Sequence, residues 1–391
     1  MSAPPLPYWR LSAYYLAYFS FLGAFAPYFG LYLQERGLSA WYIAVLLSQM
    51  QLMRIVAPIA WGWIADHSGR PVAIVRASAV LSLAGMVAFL LVDSVAGWFV
   101  TIAVMAFFWS AALPLVEVVT MARLGPSGAG YTRIRLWGSI GFVVAVLMIG
   151  GLIEAISLQV LPVALIAMLI AVVGSSLALP GDGVRIRPEA AVRISAVLRQ
   201  PRIRRLLGAC FFMSLAHGAL YVFYSIHLAD AGYGATAIGF LWSLGVLAEI
   251  AVFRWGHRWQ HLASPRVLLA VCLLAAVIRF ATIGWGVDFL ILLIVGQLLH
   301  GLTFGAFHAV SVAAVHRWFP AGSQSRGQAL YSSISFGAGG FAGGLLSGAM
   351  WDAWGGAMSY TVSAAFALAG IVVVVGPALA RRLWRRRAVQ A

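Results

Sequence analysis

Residues 62–70 read Gly62-Trp63-Ile64-Ala65-Asp66-His67-Ser68-Gly69-Arg70, and they separate two long apolar runs, Ser39–Ile64 and Val72–Val92. Glycine allows tight turning and close helix approach, and Asp66 and Arg70 are spaced to pair across two helix ends. A helix needs about 20 mostly apolar residues to cross a hydrocarbon core roughly 30 Å thick. The stretch therefore reads as a short polar hairpin joining two membrane spans.

Working outward, the same alternation continues along the chain. The first part holds runs at Leu11–Leu33, Ser39–Ile64, Val72–Val92, Ala96–Ala122, Arg135–Ile153 and Leu158–Leu179. The second holds Leu206–Ala229, Ala235–Phe253, Val267–Trp285, Phe289–Val315, Ala329–Met350 and Ala357–Leu379. The 391 residues are 62% hydrophobic and 9% charged, with a mean hydropathy of +0.94. Water cannot be the main solvent of such a chain. The reading is an all-α integral membrane protein with twelve transmembrane helices.

The longest polar interruption carries Arg185, Arg187, Arg193, Arg199, Arg202, Arg204 and Arg205. It divides the chain into an N-terminal six-helix bundle (1–180), an Arg-rich linker (181–205) and a C-terminal six-helix bundle with a basic tail (206–391). With the linker inside, Arg70, Arg76, Arg123, Arg133, Arg258, Arg266, Arg317 and Arg326 also lie inside. The opposite loops hold Glu35, Asp93, Glu154, Asp230, Asp288 and Asp352, with Arg36 the single basic residue. Cytoplasmic loops carry an excess of Arg and Lys. The partition thus places both termini in the cytoplasm and explains the net charge of +15 without nucleic acid. Residues 1–10 lack the pattern of a cleaved signal peptide.

The hairpin motif, with Gly62, Asp66, Gly69 and Arg70, resembles the signature loop of the major facilitator superfamily. That resemblance implies two pseudo-symmetric six-helix bundles working by alternating access, with the loop as a conformational latch. The loop Trp255-Gly256-His257-Arg258 is a degenerate second copy. Span five reads Gly138-Ser139-Ile140-Gly141-Phe142 and lacks the Gly-Pro pair of the drug antiporters, which argues against drug export. Arg133-Ile134-Arg135-Leu136-Trp137-Gly138-Ser139, Ala231-Gly232-Tyr233, Leu241-Trp242-Ser243-Leu244-Gly245-Val246 and Ala248-Glu249 are similar to the bacterial 3-phenylpropionic acid permeases. A more distant resemblance, to lactose permeases, matches Glu117 and Arg135 to a substrate-holding charge pair. It also matches Glu249, Arg279 and His300 to a substrate and proton pathway. The chain departs from that pathway at Thr303 and Gln297, where those permeases have an acid and a lysine.

Counting about 1.5 Å per residue puts Arg54 about 15 Å inside its span, and Arg279 near mid-depth. Glu249 and Glu117 lie about one to two turns inside theirs. A charge at a span centre costs about 2.5–3.5 kcal/mol even on the mild insertion scale. Such residues normally face a hydrated cavity and a partner, although static pairs fixing helix register are the alternative. Arg54 is expected to attract an anionic or polar solute, while Glu249, with Glu117 and His300, carries protons.

Polar side chains recur at helical spacing. His217, Tyr221 and Tyr224, with Ser214, share one face of span seven, and His300, Phe304 and His308 share one of span ten, as Tyr14 and Tyr18 do in span one. These are candidate substrate-binding residues, with packing as the bland reading for the aromatics. Gly340, Gly344 and Gly348 in span eleven, with Gly339 and Gly343, and Gly138 and Gly141 in span five are expected to form moving contacts between the bundles.

Cys210 and Cys272 lie in apolar runs, which predicts neither disulfide nor metal. A chain without Lys cannot contain an ATP-binding Gly-Lys-Ser/Thr loop. The expectation is a monomeric transporter of the bacterial inner membrane, not an enzyme and without cofactor. Its partners are a small-molecule substrate, protons and membrane lipid. Proton symport of an aromatic or other organic acid leads, with a sugar or nucleoside symporter as the alternative.

Overall fold

The computed structural model describes residues 7–124, 130–181, 197–320 and 323–390, with the side chains of Pro58, Ile59, Asp66, His257, Ser325 and those past residue 376 outside the description. Most of the linker, with Arg185, Arg187 and Arg193, therefore lies outside the described residues, as do the tail arginine side chains.

The first six helices are α1 (Tyr8–Glu35), α2 (Ala40–Ser68), α3 (Pro71–Leu90), α4 (Val95–Leu124), α5 (Tyr131–Ala155) and α6 (Leu161–Leu177). The next four are α7 (Pro201–Asp230), α8 (Ala235–Arg254), α9 (Pro265–Trp285) and α10 (Leu290–Trp318). A final long run, α11 (324–354) and α12 (356–390), breaks at Gly355, whose φ of 76° is left-handed and not helical. Eleven helices among the described residues are long and apolar enough to cross a membrane, and the break in the last gives the twelfth run.

Local chemistry sets these ends. Pro71, Pro201 and Pro265 open α3, α7 and α9, where a missing N–H costs nothing. Gly69 closes α2 in the left-handed conformation, φ 64°. Two helices begin a full turn earlier than hydropathy suggests. α5 starts at Tyr131 rather than Arg135 and α7 at Pro201 rather than Leu206, because a polar first turn at a membrane edge is still helical.

Two compact units result. The first contains residues 1–188 together with Tyr224–Ser243, and the second contains Glu189–Phe223 and Leu244–Ala391. Each holds one very close helix pair. In the first, α1 packs on α5: a Cβ at Gly23 would lie 2.5 Å from the Phe142 carbonyl oxygen, and one at Gly141 would overlap that of Leu16. In the second, α7 packs on α11, where Gly343 abuts Gly218 and the Leu215 carbonyl, and Gly339 abuts Phe211. Glycine lets two backbones touch. The close contacts of Gly141, Gly339 and Gly343 lie inside a unit, which corrects the expectation that these stripes slide between bundles.

Polar contacts organise the ends of the first unit. Arg76 on α3 donates to the carbonyls of Ser176, Leu177 and Leu179, which α6 leaves unsatisfied at its C-terminus. At the opposite end Arg36 pairs with Asp93 at 3.2 Å. There the hairpin Tyr224–Ser243 docks on α1 and α5. Tyr28 donates to the Val146 carbonyl at 2.8 Å and reaches that of Ala235 at 3.1 Å. Glu154 accepts the Thr236 N–H at 2.9 Å in the first turn of α8.

Candidate functional site

In the second unit the polar residues converge on Arg279 of α9, which is 1% exposed. Its Nε donates to the Gly296 carbonyl at 2.8 Å and Nη1 to Thr303 Oγ1 at 3.0 Å. Nη2 reaches Gln297 Oε1 at 3.3 Å, and Nη1 lies 3.4 Å from His217 Nε2. His217 Nδ1 meets the Met213 carbonyl at 2.7 Å and must carry the proton there, which leaves Nε2 as the acceptor facing the guanidinium. These four partners are neutral hydrogen-bonding groups that solvate the guanidinium.

Glu249 of α8 and His300 of α10 meet beside this cluster, Oε2 to Nε2 at 3.8 Å, with side-chain exposures of 22% and 11%. Gly245, one turn before Glu249, makes the approach possible: a Cβ there would lie 2.9 Å from Gln297 Oε1 and 3.4 Å from His300 Cδ2. The two helices are thus in register, 245 against 297 and 249 against 300.

His300, Phe304 and His308 form a column, as their four-residue spacing predicts. Ring centroids are 5.4 and 6.1 Å apart and the planes lie within 14° and 9° of parallel. Gly301–Ala306 within this stretch is π-helical, and so is Ser333–Gly339 of α11. Such wide turns are rare and frequent at functional sites. Together they bring Thr303, Phe304, Ser335 and Phe336 around a cavity of about 20 Å³, closed by Ser214, His217, Tyr221 and Tyr331. That is room for about one water. His308 Nδ1 is 2.8 Å from the Tyr331 phenol.

The first unit holds the other candidates. Tyr14 is fully buried and stacks on Tyr18, and Tyr18 lies parallel to Trp109 at 4.0 Å. Arg54 is partly buried on α2, within electrostatic reach of Tyr18. Glu117 accepts the Tyr131 phenol at 3.2 Å, and the Arg135 guanidinium lies 4.0 Å from the centre of the Phe19 ring. Those two charges share a neighbourhood in which hydrogen bonding and cation–π contact take the place of a close ion pair. Tyr224 leaves the span-seven stripe for this unit, where its ring meets the edge of Trp242 at 5.6 Å. Arg54 and Glu249 fall in different units.

In the signature loop, Gly69 supplies the left-handed turn and the Arg70 N–H meets Ser68 Oγ at 3.3 Å. A Cβ at Gly62 would meet nothing within 4 Å, so the close approach expected of that glycine is absent among the described residues. The Asp66 side chain lies outside them. Sequence reasoning missed Tyr131, Tyr331 and above all Gln297 and Thr303, which it treated only as departures from a charged pathway. The hint was present: Gln297 lies one turn before His300 and Thr303 one turn after it.

The comparisons agree with this architecture. The chain is 29% identical over 343 residues to the probable 3-phenylpropionic acid transporter of Escherichia coli (strain K12), covering 84% of this chain and 87% of that protein. It is 27% identical over 367 residues to the maltose permease of Geobacillus stearothermophilus, covering 93% and 92%. Among solved structures, a mutant of the nucleoside transporter NupG superposes with a TM-score of 0.85 at 16% identity, over 94% of this chain and 99% of that one, a likeness of fold alone. Residues 8–362 match the model of the MFS_1 like family. The chain thus belongs to that family of major facilitator transporters and is a multi-pass membrane protein that carries a solute rather than an enzyme.

Proposed function

We propose that this protein is a secondary active transporter that takes up an aromatic or other organic acid together with protons, by alternating access. The pairing of Glu249 with His300 beside the buried Arg279 carries the reading. A carboxylate beside an imidazole provides two groups able to hold and pass a proton, and an ionised side chain at membrane depth normally faces a hydrated path. The aromatic column of α10 offers rings a flat surface, and the relative that is a probable 3-phenylpropionic acid transporter supports the same solute class. The maltose permease among the relatives supports the second reading, a sugar or nucleoside symporter.

Arg54, Tyr14, Tyr18, Glu117 and Arg135 in the first unit, and the residues around Arg279 in the second, contribute to the solute path in this reading. Gly62, Asp66, Gly69 and Arg70 form its latch. The one-sided arginine partition supports a bacterial inner-membrane location with both termini cytoplasmic, and the protein acts as a monomer. Vesicles reconstituted with the purified chain, given an inward proton gradient and labelled aromatic acids, sugars and nucleosides, test the proposal. Uphill accumulation of an acid, abolished by a protonophore, is expected. Accumulation only of sugars or nucleosides moves the assignment to the second reading, and uptake indifferent to the gradient removes proton coupling.

A further inference from the structure

The connection between α8 and α9 is the degenerate second copy of the signature loop, and the proposed solute path makes no use of it. It carries Arg254, Arg258 and Arg266, and the sequence has no acid between Glu249 and Asp288. All three arginines are exposed. None of their guanidinium groups has a hydrogen-bond or ion-pair partner among the described residues. Arginines of the first unit are employed differently: Arg76 satisfies the last carbonyls of α6, and Arg123 donates to the Gly181 carbonyl at 3.0 Å. The α8–α9 connection is also folded rather than trailing. A short helical turn, Gly256–Trp259, follows α8, and the Trp259 indole N–H returns to the Val252 carbonyl at 3.2 Å. The Leu262 N–H bonds the Trp259 carbonyl at 3.1 Å, and Ser264 caps α9 through the Val267 N–H at 3.4 Å. Large apolar side chains stand exposed among the arginines, Trp255 at 50% and Leu262 at 74%. From Arg266 an exposed stripe of Val267, Val271, Leu274 and Ile278 runs along one face of α9.

We propose that the α8–α9 connection is a binding site for an anionic phospholipid, its phosphate held by Arg254, Arg258 and Arg266 and an acyl chain lying along Val267, Val271, Leu274 and Ile278. Free guanidinium groups above an apolar stripe match such a molecule in both sign and layout. Arginine suits the phosphate because its planar fork can donate two parallel hydrogen bonds to it. A zwitterionic lipid brings its own cation beside the phosphate. With no acid in the connection to receive that cation, a lipid of net negative charge is preferred. The equivalent loop of the first half carries an acid of its own, Asp66; here the lipid supplies the negative charge that the sequence omits. The inference does not depend on which solute is carried. Each basic residue near an anionic lipid surface contributes about fivefold in affinity, so three supply on the order of a hundredfold before salt screening.

Native mass spectrometry of the full chain, released from a neutral detergent, counts the lipids that stay bound. Dioleoyl phosphatidylglycerol and dioleoyl phosphatidylcholine, which share their acyl chains, are the two probes. Wild type should hold phosphatidylglycerol at least about tenfold more tightly, and the preference should shrink when the lipid is loaded at higher salt. Combining Arg254→Gln, Arg258→Gln and Arg266→Gln should abolish the preference. A control that loses the same charge elsewhere, Arg199→Gln with Arg202→Gln and Arg204→Gln, should keep it. If the triple variant melts well below wild type without lipid, the single Arg258→Gln decides instead, with a loss of about fivefold expected. Equal wild-type affinity for the two lipids would overturn the site, and so would a preference that survives these substitutions or falls equally in the control. Displacement of bound phosphatidylglycerol by an excess of inorganic phosphate would assign the arginines to a free anion and overturn the lipid assignment.

Discussion

Glu249 Oε2 stands 3.8 Å from His300 Nε2, a carboxylate of α8 facing an imidazole of α10. Replacing Glu249 by Gln keeps the shape and removes the exchangeable charge. Accumulation against a gradient should fall to the equilibrium level, while counterflow of labelled for unlabelled solute persists. Undiminished accumulation would exclude Glu249 as a proton carrier.

Arg279 is held through its own fork of N–H donors, which a lysine cannot reproduce. Arg279→Met leaves the Gly296 carbonyl, Gln297 Oε1 and Thr303 Oγ1 without this donor, at about 1–3 kcal/mol for each buried group left unsatisfied. A lower melting temperature in detergent is expected, and a fall in transport of at least about tenfold, the factor that about 1.4 kcal/mol supplies. Arg279→Lys should be intermediate in stability. Wild-type transport by the Met variant would make the residue purely structural.

Gly141 and Gly151 sit on the same helix and should respond oppositely to alanine. A methyl at Gly141 overlaps the Leu16 carbonyl, and backbone there cannot yield cheaply, so a loss of about 1–3 kcal/mol is expected. A methyl at Gly151 meets nothing within 4 Å and should be neutral or stabilise the helix by roughly 0.5–1 kcal/mol. Thermal unfolding of the two variants side by side decides this.

Orientation can be checked by labelling whole cells with a membrane-impermeant maleimide. Cys210 and Cys272 are both buried, so the native background should be low. A cysteine at Ser94, in the loop with Asp93, should label directly. One at Ser68, the last residue of α2 beside Arg70, should label only after permeabilisation, and the reverse pattern would invert the assigned topology.

The helices were legible because a membrane imposes one strong rule, that long apolar runs become spans. Their ends were less so: Tyr131 and Pro201 begin helices in polar turns that hydropathy trims away. Within the site, side chains that share one helix face, such as His300, Phe304 and His308, were readable from spacing. What joins different helices was not. Nothing in sequence spacing says that Thr303 would solvate Arg279, that Tyr131 rather than Arg135 would contact Glu117 directly, or that two π-helical turns would meet. Gly138, Gly141, Gly339 and Gly343 do make close contacts, but within a unit rather than between bundles, since composition marks a site of approach without naming the partner.

The discontinuity of the first unit bears on how the protein is made. When the sixth span leaves the ribosome, Tyr28 has found Val146 but not Ala235, and the Glu154 carboxylate still awaits the Thr236 amide. Those two contacts can form only once the hairpin of residues 224–243 has been made. A fragment ending at the linker would leave Tyr28 and Glu154 without the partners that Ala235 and Thr236 supply.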